Sequence, residues 1–147
     1  MKVKDVMTTL LVTIHKDTSY HDAAKILREK NISGAPVVDD AGNLVGVLSE
    51  KDLFRVLYPF YSSFYTNPEA YTDFEEREKK IEEIKDHHIE KFMTKVVIFA
   101  DPDMPVMKIG SIMLSRGINR IPVVENGKIV GIVSRHDIFK NIFEKHL

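Results

Sequence analysis

The chain carries one stretch of sequence twice, and that duplication limits the folds open to it more than any other feature. Val6-Met7-Thr8 returns as Phe92-Met93-Thr94, an offset of 86 residues. At the same offset Ile26 matches Ile112, Ile32 matches Ile118, and Pro36-Val37-Val38 matches Pro122-Val123-Val124. One residue is then lost in a turn. Gly42, Val45-Gly46, Ser49, Asp52 and Phe54 recur at an offset of 85 as Gly127, Val130-Gly131, Ser134, Asp137 and Phe139. With 147 residues in all, neither copy is long enough to bury a sizeable core alone. Two copies sharing one core are expected.

Both copies read as β-α-β-β-α. In the first, Val12 to Ile14 is a short strand, and Ser19 with Asp22 opens a helix from Tyr20 to about Lys30. Ala23, Ile26 and Leu27 give that helix one buried stripe. Ala35 to Val38 and Leu44 to Leu48 form a hairpin across Asp39-Asp40-Ala41-Gly42-Asn43, and Ser49 caps a helix to about Leu57. The second copy predicts a strand at Val97 to Phe99 and a helix from Val106 to Arg116. Strands Ile121 to Val124 and Lys128 to Val133 follow, joined by Glu125-Asn126-Gly127, and then a helix from Arg135 to about Lys145. The domain plan is a first unit at 1–57, a connector at 58–89 and a second unit at 90–147.

The connector starts aromatic (Tyr58, Phe60, Tyr61, Phe64, Tyr65, Tyr71, Phe74) and continues as a charged helix expected over Glu75 to Phe92, with Ile81, Ile84 and Ile89 along one stripe. It is read as an ordered connector packed on the module or on a second subunit. The aromatic cluster also suits a partner-binding element.

Composition excludes several classes. Cysteine is absent, so disulfides, thiolate metal sites and a cysteine nucleophile are ruled out. The 21 basic and 22 acidic residues nearly cancel, removing the net basic field of a general nucleic-acid binder. The longest apolar run, Val96 to Ala100, is far below membrane-spanning length, and Met1-Lys2-Val3-Lys4-Asp5 lacks the apolar stretch of a signal peptide. A soluble, cytoplasmic protein is expected. None of the phosphate-loop, dinucleotide-loop, nucleophile-elbow or zinc-helix motifs occurs, so the chain reads as non-enzymatic. Adjacent His87 and His88 would point about 100° apart on a helix and so read as a solvated face rather than a metal pair.

What repeats with chemical content is a small-residue strand start followed by Ser-x-x-Asp at a helix start. Copy one has Ile32-Ser33-Gly34-Ala35-Pro36 and Ser49-Glu50-Lys51-Asp52. Copy two has Ile118-Asn119-Arg120-Ile121-Pro122 and Ser134-Arg135-His136-Asp137. Free amides, a hydroxyl and the positive end of a helix suit a phosphate, and the carboxylate could accept both hydroxyls of a ribose. The same Ser-x-x-Asp is also a capping box, which needs no ligand.

The doubled order of Val-Met-Thr, apolar-Ser-Gly-Ala-Pro-Val-Val-Asp and Gly-x-Leu-Val-Gly-Val-Leu-Ser-x-x-Asp-Leu resembles a tandem pair of CBS (cystathionine beta-synthase) domains, a Bateman module. The resemblance implies an α+β fold of two pseudo-twofold related units packed through their sheets. It implies two clefts for adenosine-containing ligands (AMP, ADP or ATP, in some members S-adenosylmethionine), with no required cofactor and no metal. It also implies a homodimer built through helices and a regulated protein partner.

Carried over residue by residue, with the strand start of one copy facing the Ser-x-x-Asp of the other, the first cleft takes Thr8, Val12, Ile32, Ser33, Gly34, Ala35, Pro36, Arg120, Val133, Ser134, His136 and Asp137. There Asp137 would hold the ribose, Ser134 the ribose or phosphate, and Arg120 the phosphate. The second cleft takes Thr94, Ile98, Ile118, Asn119, Pro122, Leu48, Ser49, Lys51 and Asp52. Gly34 stands where the second copy has Arg120, and Glu50 where it has Arg135, so the first cleft is preferred for a phosphorylated ligand. Two other classes stay open: a ligand-free oligomerisation scaffold, and nucleic-acid binding through Arg116, Arg120, Lys128, Arg135 and Lys140.

Overall fold

The computed structural model describes residues 1–9, 11–58, 74–95 and 98–147. The connector aromatics from Phe60 to Tyr71, and Val97 at the head of the expected second-copy strand, lie outside the described residues. The elements are α1 (Val3–Val6), β1 (Ile14–His15), α2 (Tyr20–Glu29), β2 (Gly34–Val38), β3 (Leu44–Ser49) and α3 (Glu50–Arg55). After the connector come α4 (Phe74–Ile84), α5 (Val106–Arg116), β4 (Arg120–Glu125), β5 (Lys128–Ser134) and α6 (Arg135–His146). Among the described residues no helix is long and apolar enough to cross a membrane.

The chain folds into two compact units that do not follow the two sequence copies end to end. One unit joins Met1–Val12 and Asp39–Leu44 to Val97–Leu147; the other joins Thr13–Val38 to Val45–Val96. They are called the α5–α6 unit and the α2–α3 unit.

In the α5–α6 unit, β4 and β5 pair antiparallel from Arg120↔Ser134 to Glu125↔Lys128, with an irregularity between Val123 and Val124. The turn is tight because Asn126 and Gly127 both take positive φ, 54° and 80°, a geometry these residue types tolerate. Ala100 lies parallel to β4 at Val123, and Thr8 lies antiparallel to β5 at Ile132. Thr8 N–H donates to the Ile132 carbonyl at 2.8 Å, and Ile132 N–H returns the bond at 2.9 Å. Helix α5 starts after Pro105, which lacks an N–H, and ends at Gly117 in the left-handed region (φ 64°). Its Val106, Ile109 and Met113 close a core with Val3, Ile121, Val123 and Val133.

The α2–α3 unit repeats this plan with the first copy. Strand β1 pairs parallel with β2 (Ile14↔Val37), β3 lies beside β2, and Thr94 pairs with Val47 of β3 in both directions at 3.0 and 2.9 Å. Its core gathers Ile14, Ala23, Leu27, Val37, Leu48, Leu53, Ile84 and Ile89. Tyr20 is buried here, its hydroxyl donating to the Leu53 carbonyl at 2.6 Å, and burial raises its phenol pKa. Each unit thus receives its Met-Thr strand from the opening of the other copy: Thr8 of copy one serves β5, and Thr94 of copy two serves β3.

The charged helix is shorter than its apolar stripe predicts. It ends at Ile84, and a single 3-10 turn follows at Ile89–Lys91. The helix stops because its next carbonyls serve another helix: Tyr20 N–H donates to the His87 carbonyl at 2.8 Å and His21 N–H to the Lys85 carbonyl at 3.0 Å. These carbonyls satisfy donors that the first turn of α2 leaves unpaired. Ile84 and Ile89 are both buried, so the stripe was read correctly as apolar but not as one continuous helix. His87 and His88 therefore do not sit on a helix. His87 stacks on Phe92 with ring centroids 6.4 Å apart, and His88 Nδ1 lies 3.4 Å from Asp17.

Candidate functional site

Strands β2 and β3 are hairpin neighbours, as are β4 and β5. The residue entering each hairpin therefore emerges beside the residue leaving it, and the strand start meets the helix cap of the same copy. In the α2–α3 unit the Glu50 amide donates to the Ser33 carbonyl at 2.8 Å. In the α5–α6 unit the Arg135 amide donates to the Asn119 carbonyl at 2.9 Å, and Arg120 pairs in register with Ser134.

Both helix starts carry a complete reciprocal capping box. Ser49 Oγ accepts from the Asp52 amide at 3.2 Å while Asp52 Oδ2 accepts from the Ser49 amide at 2.9 Å. Ser134 and Asp137 repeat this at 3.0 and 2.9 Å. The sequence predicts free amides at these helix starts. The structure instead uses the amides of Ser49, Glu50 and Asp52, and those of Ser134, Arg135 and Asp137, inside the protein. Fewer helix-start amides are therefore left for a ligand than the sequence alone suggests.

Each carboxylate has a second oxygen beyond its cap. Asp52 is the buried charged residue among those described, 8% exposed, and its Oδ1 accepts from the Thr94 hydroxyl at 3.3 Å with Arg55 Nη1 3.9 Å away. In the other unit, Asn141 Nδ2 donates to the Asp137 carbonyl at 2.7 Å and steadies the first turns of α6.

The other predicted residues divide by burial. Ala35, Pro36, Leu48, Pro122 and Val133 are buried, and Val133 and Leu48 are 0% and 1% exposed. Val12, Ile32, Gly34, Ile98, Ile118, Ser49, Ser134 and Asp137 are half-buried. Thr8, Ser33, Lys51, Thr94, Asn119, Arg120 and His136 are exposed. Gly34 leaves no room for a side chain, because a Cβ there would fall 2.9 Å from the Leu48 carbonyl oxygen. The structure thus sets Ser33, Gly34, Ser49, Lys51, Asp52 and Thr94 in the α2–α3 unit. It sets Thr8, Asn119, Arg120, Ser134, His136 and Asp137 in the α5–α6 unit.

The sequence reading missed Arg55 beside Asp52, and it missed the work of the repeated methionine. Met93 Sδ lies 2.7 Å from where a Cβ of Gly46 would stand, and Met7 Sδ lies 2.6 Å from the same point on Gly131. The signal was present, since Met and Gly recur at their respective offsets.

The sequence matches the CBS domain pattern twice, over residues 3–59 and 87–144. The chain belongs to the CBS domain family. The CBS pair of protein MJ0100, solved with 5-methylthioadenosine and S-adenosyl-L-methionine, is 30% identical (TM-score 0.68), with 99% of this chain and 98% of that one covered. CBSX2 solved with AMP is 28% identical (TM-score 0.75), with 99% and 98% covered. The A-adding tRNA nucleotidyltransferase of Aquifex aeolicus is 32% identical over 146 residues, which is 98% of this chain but 15% of that enzyme. The similarity to that enzyme is thus to a small part of it, and both CBS repeats of the present chain are accounted for by the match.

Proposed function

We infer that this CBS pair is a non-catalytic regulatory module that binds an adenine nucleotide of the AMP, ADP or ATP type and signals occupancy to a protein partner in the cytoplasm. The observation that carries the reading is the duplicated constellation of Thr, Ser and Asp at the starts of α3 and α6, with one oxygen of Asp52 facing a hydroxyl beyond its cap. A ribose diol is the natural replacement for such a hydroxyl, because a carboxylate oxygen accepts two donors at once. Solved relatives that hold AMP, or 5-methylthioadenosine with S-adenosylmethionine, support the adenosine class.

The two units are not equal in charge. In the α5–α6 unit Arg120 pairs in register with Ser134, and Arg135 and His136 open α6, where the α2–α3 unit has Gly34, Glu50 and Lys51. Side-chain cations, rather than helix amides, would take the phosphate, so the α5–α6 unit is the nucleotide site. The α2–α3 unit suits an uncharged adenosine. Occupancy would act by favouring one conformation over another, and the chain would self-associate as a homodimer.

Thermal unfolding with AMP, ATP and S-adenosylmethionine tests the reading. A ligand at about 100 times its Kd stabilises the protein by roughly 2.7 kcal/mol, a readily measured rise in Tm. No shift and no calorimetric heat with any of the three would leave a ligand-free scaffold as the better account.

A further inference from the structure

The two capping carboxylates stand in matching frames. Asp52 and Asp137 occupy equivalent positions of the two copies, as do Thr94 and Thr8, and Arg55 and Lys140. Thr94 exchanges both peptide hydrogen bonds with Val47, and Thr8 does the same with Ile132. Each aspartate gives Oδ2 to the serine amide of its own cap at 2.9 Å. The copies part at the other oxygen. Oδ1 of Asp52 accepts from the Thr94 hydroxyl at 3.3 Å and lies 3.9 Å from Arg55 Nη1. Among the described residues, Oδ1 of Asp137 has no such partner: the Thr8 hydroxyl makes no hydrogen bond and Lys140 no ion pair. Exposure follows, with Asp52 buried and Asp137 half-buried.

Arg55 sits three residues after Asp52, on the same face of α3. Its planar guanidinium is more weakly hydrated than an ammonium and pairs more readily with a carboxylate short of water. Lys140 offers an ammonium at the same spacing from Asp137, and it is exposed. A carboxylate oxygen has two acceptor positions. On Oδ1 of Asp52 the Thr94 hydroxyl takes one, and the Arg55 charge neutralises the group from outside. A hydroxyl and a cation of the protein itself thus stand where a ribose diol would bind. The ion pair is the weaker of the two contacts, because the Arg55 side chain is 47% exposed and screened by solvent. A ligand can therefore displace it.

We propose that Thr94 and Arg55 hold Asp52 closed against ligand, so that the α5–α6 unit carries the open nucleotide site and the α2–α3 unit a latent one, entered by an uncharged nucleoside in competition with Arg55. The proposal rests on the adenosine reading above and adds how one of its two sites is regulated. A nucleoside that takes Asp52 releases the Arg55 guanidinium to the surface of α3, and occupancy there changes the charge that a partner meets.

Calorimetry of the full chain with AMP and adenosine tests this. The intact protein is expected to bind one AMP per chain. In an Asp137→Ala background, adenosine binding reports on Asp52 alone. Adding Arg55→Ala there is expected to tighten adenosine at least about 3-fold, the scale of a partly exposed ion pair, with Tm unchanged in the absence of ligand. Arg55→Lys, which places the second copy's residue in the first, is expected to act in the same direction. Two AMP of equal affinity per intact chain, or an adenosine affinity that Arg55→Ala leaves unchanged or weakens, would overturn the closure while the nucleotide reading stands. No heat with either ligand, from the intact chain or from Arg55→Ala, would overturn the nucleotide reading and this proposal with it.

Discussion

The hydroxyl of Thr94 donates to Oδ1 of Asp52 across 42 residues of sequence, at 3.3 Å, while Oδ2 of the same carboxylate holds the Ser49 amide at 2.9 Å. A residue from the opening of the second copy thereby completes the charged centre of the first. Because Asp52 is nearly buried, losing this partner leaves a poorly solvated oxygen. Thr94→Val is expected to destabilise the protein by about 1–3 kcal/mol in urea unfolding, with Thr94→Ser retaining most of the stability.

Gly46 and Gly131 are expected to refuse even a methyl group. A Cβ at Gly46 would lie 2.7 Å from Met93 Sδ and 2.8 Å from the Thr94 carbonyl oxygen; at Gly131 it would lie 2.6 Å from Met7 Sδ. Each alanine substitution should cost about 1–3 kcal/mol. Adding Met93→Ala to Gly46→Ala relieves the sulfur but not the backbone oxygen, so the pair should recover only part of the loss that urea titration records for Gly46→Ala.

The segment after α4 is expected to behave as core. Ile89 is fully buried and Ile81 is 39% exposed, although both sit on the same sequence stripe. Ile89→Ala should lower stability by about 2–5 kcal/mol and Ile81→Ala by well under 1 kcal/mol. Equal effects would restore the continuous helix that the stripe alone predicts.

Acid sensitivity should trace in part to the N-terminal segment. Lys4 Nζ lies 3.0 Å from Asp103 Oδ1 and Lys2 Nζ 3.6 Å away, and the hydrogen bond and charge of Lys4, then Lys2, lower the Asp103 pKa. A carboxylate with a depressed folded-state pKa contributes stability that is present above its unfolded value, about 3.9, and lost as pH falls through the folded value. Asp103→Asn is therefore expected to flatten the fall in stability as pH drops below the unfolded value. The group is exposed, so the effect should be small and should fade in high salt.

Nucleotide affinity should separate the two units. Asp137→Ala is expected to weaken AMP binding by about 10–100-fold in calorimetry, the range for a hydrogen bond to a charged group, and Asp52→Ala to spare it. Similar losses from both would contradict the charge inequality between Arg120 and Gly34.

Much of this was legible in the residues. Hydrophobic period and turn chemistry located both hairpins and all four repeat helices to within about two residues. Ser49, Asp52, Ser134 and Asp137 were recognisable as caps because the spacing itself is the mechanism. What sequence did not reveal were bonds between distant segments. Nothing local shows that the His87 carbonyl will serve the Tyr20 amide and end α4. Nor does anything local place Thr8 beside Ile132 rather than beside its own copy's Val47, since the two copies offer equivalent strands. The helix-start amides were misjudged for a related reason: Ser33 and Asn119 carbonyls reach them only once the hairpins have formed.

The exchange of Thr8 and Thr94 between the copies says something about history and assembly. A single ancestral copy would have had to lend its opening strand to a second chain and borrow one in return, as domain-swapped dimers do. With both copies on one chain, that trade is internal. Neither copy produced alone should then be a finished protein, whereas co-expressed segments 1–57 and 74–147, the second keeping Ile84 and Ile89, have what is needed to complete each other.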